Sequence, residues 1–160
     1  MTRSNAREIA VHLIYAARSS EMPIDELFAS RFEEAYYTCL GEENEVYKEK
    51  PGNKQLGYIR RTVEGVFAHL EELDGYISKY SIGWNLNRIS RLARAMMELA
   101  IYETLYVEDV PTGVAIHEAV LLARKYEEDD TVAFVNGVLG SFARSLDAAS
   151  TQQEQKETEV

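Results

Sequence analysis

Three arginines spaced three apart, Arg88, Arg91 and Arg94, stand in the stretch GWNLNRISRLARAMMELAIYE from Gly83 to Glu103. On a helix of about 3.6 residues per turn, that spacing gathers their guanidinium groups on one side. Ile89, Leu92, Met96, Leu99 and Ala100 fall on the other side. A row of guanidinium groups suits phosphate oxygens or a carboxylate-bearing surface. Ordinary exposed ion pairs with Glu or Asp account for such a row as well. Glu103 falls inside the apolar arc, so it is expected to be semi-buried, with a donor partner, bridging helices.

Phe134 is the second candidate. In AFVNGVLG and its continuation, Val135, Val138, Leu139, Phe142 and Leu146 repeat at core spacing. Phe134 sits about 100° off the centre of that stripe. A ring at the margin of a buried face can stack on an unpaired base, or it can fill a gap against a neighbouring helix. Asp129 and Asp130 precede it. Carboxylates there favour a helix N-terminus, and one of them facing outward would offer a docking point to a basic protein.

Catalytic and metal-binding signatures are missing from the sequence. His12, His69 and His117 are scattered, with no HExxH or Cys-His spacing, and His117-Glu118 are neighbours that diverge on a helix. No GxxxxGK or GxGxxG loop occurs, and nothing pairs a nucleophile with a base. A binding protein without catalytic, metal or cofactor sites is therefore expected. The formal net charge of −10 disfavours nonspecific nucleic-acid binding, which needs many cations to release counterions. It leaves room for a local basic patch, or for a site that a basic partner completes. The single Cys39 excludes an internal disulfide framework and fits a reducing, cytoplasmic setting. No apolar run approaches the roughly 18 residues of a membrane span.

Helical periodicity runs through nearly the whole chain, and strand signals are almost absent. Seven helices are expected. The first starts at Ser4 or Asn5 with an Asn5/Glu8 capping box and buries Ala6, Ile9, Ala10, Leu13 and Ala17. The second runs from Pro23 or Ile24 to about Leu40, with Leu27, Phe28, Phe32, Ala35 and Tyr36 inward. Gly41 to Lys54, charged and carrying Pro51-Gly52, reads as a mobile loop. Helices follow over about Gln55 to Leu70 and Glu72 to Tyr80, then the arginine-striped helix, ended by Asp109-Val110-Pro111. Val114 to Tyr126 is the sixth. The last is capped by Asp130 or Thr131, and the polar segment from Ala148 to Val160 is expected to be disordered.

Four pieces in register resemble the NusB family of bacterial transcription antitermination factors: AREIAVHLIY, GWNLNRISRLARAMMELAIYE, DVPTGVAIHEAVLLARKY and FVNGVLG. Together they cover most of residues 5–143. The resemblance implies an all-α fold of about seven helices in two packed three-helix subdomains, an N-terminal one over about 1–81 and a C-terminal one over about 82–147. The module spans 1–147, and 148–160 is the polar tail. It also implies binding of boxA, a single-stranded RNA element of ribosomal RNA transcripts, together with NusE, a small-subunit ribosomal protein, in the antitermination complex of RNA polymerase. Carried over residue by residue, it implies Arg7, Tyr15 and Phe134 as RNA-facing and Asp130 as facing both RNA and partner. Arg3 and Asn136 join the candidate RNA-facing positions, and Asp129 and Arg94 the candidate partner-facing ones, without that correspondence. The chain departs from the family at Arg3-Ser4-Asn5, where many members carry an arginine cluster, at His117, where Asn is common, and in its longer acidic segment 41–54. Two alternatives stand beside this reading. One is a protein-only helical adaptor or homodimer that buries the arginine stripe. The other is an RNA-binding accessory module like that of ribosomal RNA cytosine methyltransferases.

Overall fold

The computed structural model describes residues 1–84 and 89–158. Among them the chain is all-helical, with eight α-helices and one short 3-10 turn. It divides into two compact units, Met1–Leu70 and Glu71–Val160.

In the first unit, α1 (Arg3–Ser20) starts one residue earlier than expected, because the hydroxyl of Thr2 serves as its cap. Thr2 Oγ1 accepts from the Asn5 N–H at 3.1 Å, so Asn5 lies inside the first turn, and Glu8 is buried. Ala6, Ile9, Ala10 and Leu13 are buried as the periodicity requires, and Val11 and Ile14 join them.

The single helix expected over Pro23 to Leu40 is two helices, α2 (Ile24–Arg31) and α3 (Glu34–Glu43). Glu33 makes the break. Its backbone is extended, and its carboxylate accepts from the N–H groups of Ala35 (3.2 Å) and Tyr36 (2.9 Å), starting a new helix. The restart rotates the apolar register. Tyr37 turns inward while Ala35 and Tyr36 lie exposed, the reverse of the continuous-helix expectation.

Residues 41–54 are not a free loop. The end of α3 is followed by the 3-10 turn Glu45–Tyr47, which buries Val46 and Tyr47. The Tyr47 hydroxyl meets His12 Nδ1 at 2.6 Å, and Tyr37 donates its hydroxyl to the Glu49 carbonyl at 2.7 Å. A Cβ on Gly41 would stand 2.9 Å from the Tyr47 carbonyl oxygen, so this return of the chain needs glycine at that position. α4 (Asn53–Ala68) then packs along α1, burying Tyr58, Ile59, Val63 and Val66 at helical spacing.

α5 (Leu70–Tyr80) begins on the last residue of the first unit. The second unit continues with α6 (Arg91–Tyr106), α7 (Thr112–Tyr126) and α8 (Asp129–Thr158). α6 starts at Arg91 because Ser90 caps it, its Oγ accepting from Leu92 and Ala93, each at 3.2 Å. It packs on both α7 and α8. Every residue from Ala95 to Ile101 is buried, so the helix read as two-sided is enclosed all round at its middle. Alanines at Ala115, Ala119 and Ala123 of α7 repeat every four residues, which suits close helix packing. Glu103, expected to be semi-buried, is fully enclosed, as is Glu98.

α8 continues to Thr158, into the stretch expected to be disordered. Ala148 to Thr158 holds Ala, Gln, Glu and Lys, residues that lose little entropy in a helix, and an existing helix extends more easily than a new one nucleates. No helix among the described residues is long and apolar enough to cross a membrane.

Candidate nucleic-acid interface

The α1 residues Arg3, Arg7 and Tyr15 are carried on one rigid rod in the first unit. Arg3 and Arg7, four apart, share a face. The Arg3 guanidinium lies 3.9 Å from the centroid of the Tyr58 ring on α4. A cation held on a ring keeps its charge and its outer N–H donors, so it is positioned rather than neutralised. Arg7 is only 5% exposed. Its guanidinium is therefore not an open phosphate contact, unlike the RNA-facing arginine the sequence suggested. Tyr15, 42% exposed, presents its ring near the middle of α1.

In the second unit the sequence-derived residues fall on α8 and α6. Asp129 and Asp130 are exposed in the first turn of α8. They lie inside the helix rather than at its cap, because the helix begins at Asp129. Their charge there complements the N-terminal dipole. Asn136 is exposed two residues beyond Phe134, about 200° around the helix, so the two do not share a face.

Of the two roles the sequence leaves open for Phe134, the structure shows the gap-filling one, and the open, RNA-facing position is corrected. Phe134 is 2% exposed, and the indole of Trp84 covers it edge to face, with ring centroids 4.9 Å apart at 63°. The physical reason is the position itself. A margin residue becomes interior when a neighbouring segment closes over it, and the turn after α5 supplies that segment. Of this pair, Trp84 is the ring that remains open, at 48%. The sequence places this tryptophan beside a glycine break, but the reading of Gly83 to Glu103 as one helix hid its role.

Two members of the arginine stripe, Arg91 and Arg94, are described. Arg88 lies outside the described residues. Arg91 is exposed, and Arg94 donates through Nε to Asp74 Oδ1 of α5 at 3.3 Å. The second unit therefore offers less open positive surface than three free guanidinium groups. No group of three or more His, Cys, Asp or Glu side chains among the described residues could hold a metal ion.

The NusB family model matches residues 4–144. The chain belongs to the NusB family. A transcription antitermination protein NusB from Thermoanaerobacter sp. (strain X514) is 39% identical over 144 residues, covering 90% of this chain and 91% of that protein. The corresponding protein of Salinispora arenicola (strain CNS-205) is 37% identical over 141 residues, covering 88% and 94%. The solved structure of T. maritima NusB superposes with a TM-score of 0.72 at 26% identity, covering 90% of this chain and 92% of that one. A crystal structure of antitermination factors NusB and NusE in complex with dsRNA shares the fold, with a TM-score of 0.69 at 24% identity and coverage of 89% and 96%.

Proposed function

We propose that this chain acts in transcription antitermination, binding boxA-type single-stranded RNA of ribosomal RNA transcripts together with NusE, within the antitermination complex of RNA polymerase. The observation that carries the reading is family membership over residues 4–144. The role is binding rather than catalysis, and its setting is the cytoplasm.

The charge distribution supports a shared grip. The chain carries a formal net charge of −10. Two of its arginines are already occupied: Arg94 by Asp74, and Arg60 by Asp25 and Glu64. Such a surface repels RNA beyond contact range, and a basic partner lowers that repulsion while adding phosphate contacts. Sequence choice then falls to unpaired bases laid against aromatic and polar side chains. Asp129 and Asp130 are open carboxylates suited to the basic partner.

Partner and RNA therefore bind with reciprocal positive coupling. Titration of labelled boxA-type RNA with and without NusE tests this. NusE should tighten RNA binding by about tenfold, within the range typical of coupled sites. Equal affinities in the two titrations would remove the cooperation.

A further inference from the structure

We propose that the indole of Trp84 is a stacking platform for one unpaired base of the bound RNA, an inference that rests on the RNA-binding reading above. Three observations carry it. The ring is on firm footing: Phe134, itself enclosed by the core of α8, meets it at 4.9 Å. The turn that presents it is anchored. The Trp84 N–H donates to the Ser81 carbonyl at 3.2 Å, and the buried Ser81 hydroxyl donates to the Ile77 carbonyl at the end of α5. Gly83 takes φ 84°, a conformation that other residues adopt only with strain, so the turn is specified by sequence. The indole nonetheless remains 48% exposed. A large aromatic fixed underneath and open above is what base stacking requires, because the ring need not be ordered at the moment of binding.

The neighbouring surface favours a base over an apolar protein contact. The exposed residues of the first turns of α8 are Asp129, Asp130, Ala133, Asn136 and Gly137, all small or polar. These α8 residues supply no large aliphatic side chain, and in the described part of the turn Ile82 is the one exposed aliphatic neighbour. An open indole beside one exposed isoleucine and otherwise small and polar groups fits one flat heteroaromatic ring. Since every base has a π-face, Trp84 adds affinity without selecting sequence.

Trp84 is the only tryptophan among 160 residues, so its emission reports this position alone. The experiment follows that emission in the intact protein while single-stranded boxA-type RNA is added in the presence of NusE. Anisotropy of labelled RNA measures binding independently. Emission should be quenched with the same midpoint as the anisotropy rise, and a fully paired duplex should quench far less. Trp84→Ala should weaken binding of boxA-type and base-scrambled single strands alike, by about tenfold, while Trp84→Phe restores most of the loss. Anisotropy that rises while emission stays constant would overturn the stacking role and leave the RNA-binding reading intact, whether or not Trp84→Ala folds. Emission that changes as much with NusE alone would assign Trp84 to the protein contact and overturn it too. No anisotropy rise with NusE present would end both readings.

Discussion

Arg94 Nε donates to Asp74 Oδ1 at 3.3 Å, which joins the first turn of α6 to the middle of α5. The pair is half open, its side chains 39% and 23% exposed, so water and salt weaken it. A double-mutant cycle with Arg94→Ala and Asp74→Ala should give a coupling below about 1 kcal/mol, as for other partly exposed pairs. That coupling should shrink further in high salt. A coupling of several kcal/mol, read from urea denaturation, would show that the pair is effectively buried and unavailable to a partner.

Ser90 has a larger structural share than the arginine. Its Oγ accepts from two backbone N–H groups of α6 and donates to Glu127 Oε1 at 2.5 Å, just past the end of α7. One hydroxyl therefore starts one helix and holds the end of another. Ser90→Ala should lower the unfolding free energy by about 1–2 kcal/mol, the upper part of the range for a lost cap. Ser90→Thr should keep most of it. Chemical denaturation of the three proteins measures both effects.

What the sequence conveyed well was periodicity. The helical class, the buried stripe of α8 and the turn at Pro111 follow from apolar spacing and proline. What it concealed was set by single side chains acting on the backbone. Glu33 splits one expected helix into α2 and α3, and glutamate is not a usual cap residue. Tyr37, Val46 and Tyr47 anchor a segment whose composition is mostly charged. For the site, exposed Asp129, Asp130 and Asn136 were legible as surface positions on α8. For Phe134 the spacing left stacking and gap-filling both open, because the cover that decides between them is Trp84, fifty residues earlier. Periodicity within one helix says nothing about a tertiary cover.

Tyr37 gives a pH-dependent prediction. Burial pushes its hydroxyl up to about 12 from the ordinary 10, and the nearby Glu49 adds to the shift. A tyrosine whose folded pKa is raised stabilises the fold fully below its unfolded pKa and loses that contribution as pH rises through the folded one. Stability should therefore fall between about pH 10 and pH 12. Tyr37→Phe should flatten this part of the curve, and at neutral pH it should cost about 1 kcal/mol for the lost bond to the Glu49 carbonyl. Thermal melts across alkaline pH separate the two proteins. Identical slopes would show that Tyr37 does not control this region.

Phe134 and Asn136 should respond in opposite ways, although they are two residues apart on α8. Phe134 is enclosed, so Phe134→Ala should cost about 3–5 kcal/mol of stability through the cavity it leaves. RNA binding in that variant should fall both through its unfolded fraction and, in the folded fraction, through the footing it removes from Trp84. Phe134→Leu, which keeps most of the volume beneath Trp84, should fold and lose less RNA affinity than Trp84→Ala. Asn136 is exposed, so Asn136→Ala should shift stability by no more than about 0.5 kcal/mol. If it contacts a base, it should still weaken boxA-type RNA more than a scrambled strand, since amide hydrogen bonds read base edges whereas stacking does not. Melting curves and RNA titrations on the same preparations decide the matter. A folded Phe134→Leu protein with full stability and no RNA binding would return Phe134 to direct contact with the base.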